Sequence, residues 1–130
     1  MTAESTQTIP QGPQVLDEAA LIRLLALAGP TDAFELMRRL RVDLHDVAVG
    51  LTAGLASHDT VAIRRHSHVL LAIAGTIGAQ HIYLMAQTLN QSAREASNLV
   101  SKADAADLMR MLNTLIERLP VLAVEQGLGG

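Results

Sequence analysis

Residues 34–55 read FELMRRLRVDLHDVAVGLTAGL. The apolar positions Phe34, Met37, Leu40, Leu44, Val47, Leu51 and Leu55 follow one another at steps of three and four. That spacing puts them on one side of an α-helix, because the helix repeats every 3.6 residues. Arg38, Arg39, Asp43 and Asp46 fall on the opposite side. So long an apolar stripe needs partners to cover it, and the flanking sequence says what kind.

The flanks are helical in pattern as well. Asp17 is placed to cap a first helix that carries Leu21, Leu24 and Leu25 on one face, and Gly29-Pro30 ends it. Thr31 is then expected to cap the long second helix. Ser57-His58-Asp59 breaks that helix, and Asp59 caps a third from Thr60 to Ile77. Ile63, Ser67, Leu70, Ala74 and Ile77 share one face of the third helix, and Gly78 makes the turn that follows. A fourth helix carries Ile82, Met85, Leu89 and Ala93. The stretch Ser97–Ala103 reads as a loop in which Ser101 and Asp104 have capping-box spacing. A fifth helix carries Leu108, Leu112, Leu115 and Leu119 and is expected to end at Pro120. No segment shows the two-residue alternation of a half-buried strand. The expected fold is all-α: an antiparallel four-helix bundle with a short N-terminal capping helix. The expected domain covers residues 15–122, between flexible tails at 1–14 and 123–130, and no internal repeat divides it.

Composition narrows the function. The chain has 130 residues, 49% of them apolar, which suits one domain with a single core. It has no cysteine, so disulfides, thiolate nucleophiles and cysteine-held metals are excluded. The formal net charge is −3, and one Phe, one Tyr and no Trp offer no platform for stacking bases, so nucleic acid is not an expected partner. No apolar run approaches the roughly 20 residues of a membrane helix, and residues 1–14 lack an apolar signal core. A membrane is not an expected partner, and the expected location is cytoplasmic.

Chemistry concentrates in the third helix, at Ile63-Arg64-Arg65-His66-Ser67-His68-Val69-Leu70-Leu71-Ala72. On a helical wheel Arg64, Arg65, His68, Leu71, Ala72 and Gly75 lie opposite the core stripe. His68 is thus expected to face outward, with small neighbours leaving space beside it and arginines one turn away. A neutral imidazole is a nucleophile near pH 7. An accessible imidazole with positive charge nearby suits a phosphoryl acceptor, since phosphoryl transfer asks mainly for in-line access and charge neutralisation. The chain has no nucleotide-binding motif of the GxxxxGK[ST] or GxGxxG type, so the phosphoryl group would come from another protein. The plainer reading of His68 is a solvated surface histidine. His66 lies nearer the core edge and is read as structural. A histidine pair two residues apart on a helix diverges, so no metal site is expected. His45, His58 and His81 are read as solvated.

These residues resemble the histidine-containing phosphotransfer (HPt) family of bacterial phosphorelays. The family pattern around the phospho-accepting histidine is roughly H-x-L-K-G-x-A, followed by a Gly-Ala pair. Here it reads His68-Val69-Leu70-Leu71-Ala72-Ile73-Ala74, then Gly78-Ala79. Val15-Leu16-Asp17 resembles the family's opening and Ser57-His58-Asp59 its turn before the histidine helix, so the likeness spans residues 15–120. It implies that His68 accepts a phosphoryl group, that the chain is a carrier without autokinase activity rather than an enzyme, and that it needs no cofactor of its own. The implied partners are response-regulator receiver domains, which bring Mg²⁺, and a hybrid sensor histidine kinase. Asn90 matches the position from which the family orients the imidazole, and Arg94 lies one turn further on. Arg64, Arg65, Leu71, Ala72 and Gly75 would form the docking face. Two residues depart from the pattern: Leu71 replaces the usual lysine and Ala72 the usual glycine. The loss of the lysine leaves a second function open, a degenerate bundle that docks a receiver or kinase without carrying phosphate. A third is a helical scaffold with no signalling role.

Overall fold

A computed structural model describes residues 15–95 and 102–128. Every regular element among them is a helix: α1 (Glu18–Ala28), α2 (Pro30–Ser57), α3 (Thr60–Ile77), α4 (Gln80–Glu95) and α5 (Lys102–Glu125).

The ends of these helices follow from local chemistry. Asp17 accepts a hydrogen bond from the Ala20 amide at 3.1 Å, and Asp59 accepts one from the Ala62 amide at 3.1 Å, so both caps are as the sequence suggests. Thr31 is not a cap. Pro30 occupies the first turn of α2 and Gly29 precedes it, without a side-chain cap. Proline needs no N–H partner there and its φ is already helical, so the helix starts at Pro30, two residues earlier than a cap at Thr31 allows. Two short links follow: His58-Asp59 between α2 and α3, and Gly78-Ala79 between α3 and α4. Each contains a left-handed residue, His58 at φ 55° and Gly78 at φ 76°.

The C-terminal end differs from the expectation. α5 runs through Pro120 to Glu125. Leu122 and Ala123, beyond the proline, are buried. Their burial holds the helical path where the missing N–H of Pro120 would otherwise end it. The helix closes in a Schellman motif: Leu128 N–H donates to Ala123 at 2.8 Å and Gly127 N–H to Val124 at 3.0 Å, with Gly127 at φ 72°. Leu128 packs back onto the core. A boundary at 122 therefore falls inside α5. The N-terminal tail and residues 96–101, with Ser101 of the capping box, lie outside the described residues; Lys102 and Ala103, expected in the loop, already belong to α5, and Asp104 stands in its first turn.

The buried side chains repeat with one rule. On α2 they are Ala33, Met37, Leu40, Leu44, Val47, Leu51 and Gly54. On α3 they are Ile63, Ser67, Leu70, Ala74 and Ile77, as the sequence indicates. On α5 they include Leu108, Leu112, Leu115, Leu119 and Leu122. Each series alternates steps of four and three, the spacing of side chains that interlock between nearly aligned helices. Phe34 is 47% exposed and Leu55 only half-buried, so α2 buries the small neighbours Ala33 and Gly54 instead. At Gly54 an added Cβ would sit 3.2 Å from the Ile63 side chain, and only a small residue lets α3 come that close.

α2 packs against α1, α3 and α5, and α4 packs against α3 and α5, so the four longer helices form a closed ring of contacts. α1 is fastened at both sides of its first turn. The Asp17 amide donates to Gly78 O at 3.1 Å, and Arg118 of α5 grips Glu18 through two bonds of 2.5 and 2.7 Å. The Arg118 hydrogen bond holds the Glu18 carboxyl below its ordinary pKa, against the opposing pull of desolvation. Arg118 also bonds Glu125 at 3.0 Å, and these two carboxylates raise its own pKa. Among the described residues, no helix is long and apolar enough to cross a membrane.

Candidate functional site

The middle of α3 sets the geometry. Ile63, Ser67 and Leu70 point into the core, so His68 emerges on the outer side and is exposed. Arg64, Arg65, Ala72 and Gly75 are exposed with it, while Leu71 is half-buried. α4 lies alongside and supplies the other wall. His68 and Leu71 face Gln87, Asn90, Gln91, Arg94 and Glu95 across an open depression.

The structure therefore brings four of the sequence-selected residues together: His68, Leu71, Asn90 and Arg94. Arg64, Arg65, Ala72 and Gly75 stand on the neighbouring exposed surface of α3 but do not line the depression. An added Cβ at Gly75 would meet the ring of Tyr83 at an ordinary 3.7 Å, so Tyr83 continues the wall toward the far end of α3. The sequence reading passed over Gln87, Gln91, Glu95 and Tyr83. Their signal was present: 83, 87, 91 and 94 step along one face of α4 at intervals of three and four.

Asn90 is the departure. It is only 7% exposed and its amide nitrogen is already committed, donating to Arg64 O at 2.9 Å and to Ser67 Oγ at 3.0 Å. Ser67 Oγ also donates to Arg64 O at 3.2 Å. The amide thus joins α4 to the backbone of α3, and no hydrogen bond to the His68 ring is formed among the described residues. On the depression's rim, Gln91 Nε2 donates to Glu95 Oε2 at 3.2 Å.

The remaining histidines are apart from this place. The His66 ring lies over Gly50 of α2, where any side-chain carbon would overlap it. It fills the seam between α2 and α3, on a different side of α3 from His68. His45, His58 and His81 are exposed elsewhere. Among the described residues no three His, Asp or Glu side chains gather into a group able to hold a metal ion.

Chemically, the arrangement offers one accessible imidazole on a rigid helix, an arginine on the facing helix and amides between them. Compared with known proteins, the chain matches no family model, no curated protein and no solved structure.

Proposed function

We propose that this chain is a histidine phosphotransfer protein that relays a phosphoryl group between receiver domains of a phosphorelay through His68. We take α2–α5 as an antiparallel four-helix bundle with α1 as its cap. The closed ring of contacts, the two-residue links and the alternating steps of four and three support that arrangement.

The observation that carries the function is the exposure of His68 at mid-helix, beside Arg94 and at the mouth of an open depression. In the forward step a lone pair on an imidazole nitrogen attacks the phosphorus of a receiver's aspartyl phosphate. The bond from phosphorus to the carboxylate oxygen breaks, and the carboxylate leaves with the electron pair. The return step delivers the phosphoryl group to a second receiver's aspartate. Mg²⁺ belongs to the receivers and neutralises the equatorial oxygens. This chain contributes the nucleophile, Arg94 and Arg64 as nearby cations, and the exposed faces of α3 and α4 as the docking surface. It carries the group without autokinase activity, needs no cofactor of its own, and works in the cytoplasm with receivers and a hybrid sensor kinase.

Leu71 favours a second reading. It stands where the resemblance implies a lysine and lines the depression with an alkyl side chain. A docking protein that binds receivers without accepting phosphate has use for that apolar contact and none for the charge.

Phosphotransfer separates the two. Incubation with phosphorylated receivers is expected to give acid-labile, base-stable label on the wild type and none on His68→Gln. Binding without label on the wild type would leave the docking reading alone standing.

A further inference from the structure

We infer that Asn90 is a positioning residue for His68, acting through the backbone of α3 and not through the imidazole; this rests on His68 being the phosphoryl acceptor.

Among the described residues, Ser67 and Asn90 are the buried polar side chains of an otherwise aliphatic core, at 0% and 7% exposure. Buried polar groups require partners, and these two find them in each other and in one carbonyl. Arg64 O accepts from Asn90 Nδ2 at 2.9 Å and from Ser67 Oγ at 3.2 Å. It is also the carbonyl that accepts the backbone N–H of His68, four residues on in the same helix. Three donors thus meet at the oxygen that fixes the start of the His68 turn, and one of them comes from α4.

The orientation of the amide follows from these partners. A carbonyl only accepts, so the Asn90 atom that faces it is the NH₂ group. No buried side-chain nitrogen or oxygen among the described residues lacks a partner, which leaves Asn90 Oδ1 on the accessible side, at the floor of the depression. The donors are spent on α3, and what Asn90 presents outward is an acceptor.

The other buried side chains of α3 and α4 are apolar, Leu70, Ala74, Ile82 and Ala86 among them. Apolar attraction is non-directional, whereas a hydrogen bond fixes which two groups meet. A single buried asparagine is the kind of group that selects one register among several. Here it fastens α3 to α4, which the short Gly78-Ala79 link already joins, at the layer where His68 stands opposite Gln87, Gln91 and Arg94.

The test uses the intact chain with potassium phosphoramidate, a small N-phosphoryl donor that needs no partner protein. An imidazole nitrogen of His68 attacks phosphorus, the P–N bond to the amine breaks, and ammonia leaves after taking a proton. Labelling rate and the NMR signals of the His68 ring are followed in the wild type, Asn90→Leu, Ser67→Ala and Leu21→Ala. Leu21→Ala destabilises the distant α1 and serves as the control. Asn90→Leu is expected to slow labelling by about 10- to 100-fold, the scale of an ångström's misplacement, and to shift or broaden the His68 ring signals. Ser67→Ala is expected to show the same change at smaller size, and Leu21→Ala none. Wild-type rate and unshifted ring signals in Asn90→Leu overturn the inference, as does an equal loss in Leu21→Ala. Should Asn90→Leu fail to fold, the same two readings on Ser67→Ala decide. Should even the wild type resist phosphoramidate, the phosphoryl reading falls by itself; the ring signals then show whether Asn90 positions His68.

Discussion

At the scale of single residues, position 71 carries the most consequence. Leu71 lines the depression beside His68, and the positive charge there comes from Arg94 on the facing helix. An aligned cation at a developing phosphoryl charge is worth a few kcal/mol at best, in a dry site, and less in an open one. Leu71→Lys is therefore expected to raise the phosphotransfer rate by about tenfold at low salt, measured as the initial rate of labelling. A rate unchanged by the lysine would mean that the existing arginines or the partner's own cation already meet the need. His68 itself was legible because its face is set by helical periodicity, which places it opposite Ile63, Ser67 and Leu70. Asn90 was legible as a residue near the site but not in its role. Which hydrogen bonds an amide makes depends on what lies across the seam between two helices, and spacing along one helix does not record that.

At the scale of elements, glycines and prolines give the sharpest tests. Gly78 turns the chain from α3 to α4 at φ 76°, and an added Cβ there would come within 3.0 Å of Asp17 Cβ. Gly78→Ala must bear both the left-handed strain and the push on the start of α1, and is expected to lose about 1–3 kcal/mol in chemical denaturation. Pro120 sits inside α5 and denies Ile116 its backbone donor. Pro120→Ala is expected to gain about 1–3 kcal/mol in the same measurement, since proline is about 3 kcal/mol less favourable than alanine in a helix interior. The proline misled the sequence reading for a physical reason. Local propensity ends a helix there, but the burial of Leu122 and Ala123 outweighs it. The Schellman closure by Gly127 and Leu128 was written in the sequence as a glycine followed by a leucine, yet a leucine at that place announces itself only once it has a core to reach.

At the scale of the whole molecule, the charge that matters is the fork of Arg118 on Glu18, which closes α1 against α5. Hydrogen bonding to Arg118 lowers the Glu18 pKa from its ordinary value of 4.5. A carboxyl whose folded pKa is depressed binds more protons in the unfolded chain, so its contribution is present above that ordinary value. It is lost as the pH falls through the lower folded value. The pair is partly open to solvent, and its contribution is about 1 kcal/mol or less. The wild type is thus expected to lose more thermal stability than Glu18→Gln on going from pH 7 to about pH 3, read as the difference in Tm. Equal losses would mean that the fork contributes nothing to holding α1.

The sequence by itself determined the helices, their order and the outward face of α3. Periodicity, caps and turn residues are local, and Asp17, Asp59 and Gly78 act within one turn of themselves. It also excluded thiol chemistry outright. Only the tertiary structure decided which neighbours are shared: Ala33 and Gly54 inside instead of Phe34 and Leu55, His66 laid over Gly50, Asn90 bonded to the backbone beneath His68. Those choices depend on how closely two helices approach. That distance follows from the side chains of both helices at once, and the pattern along either one alone does not contain it.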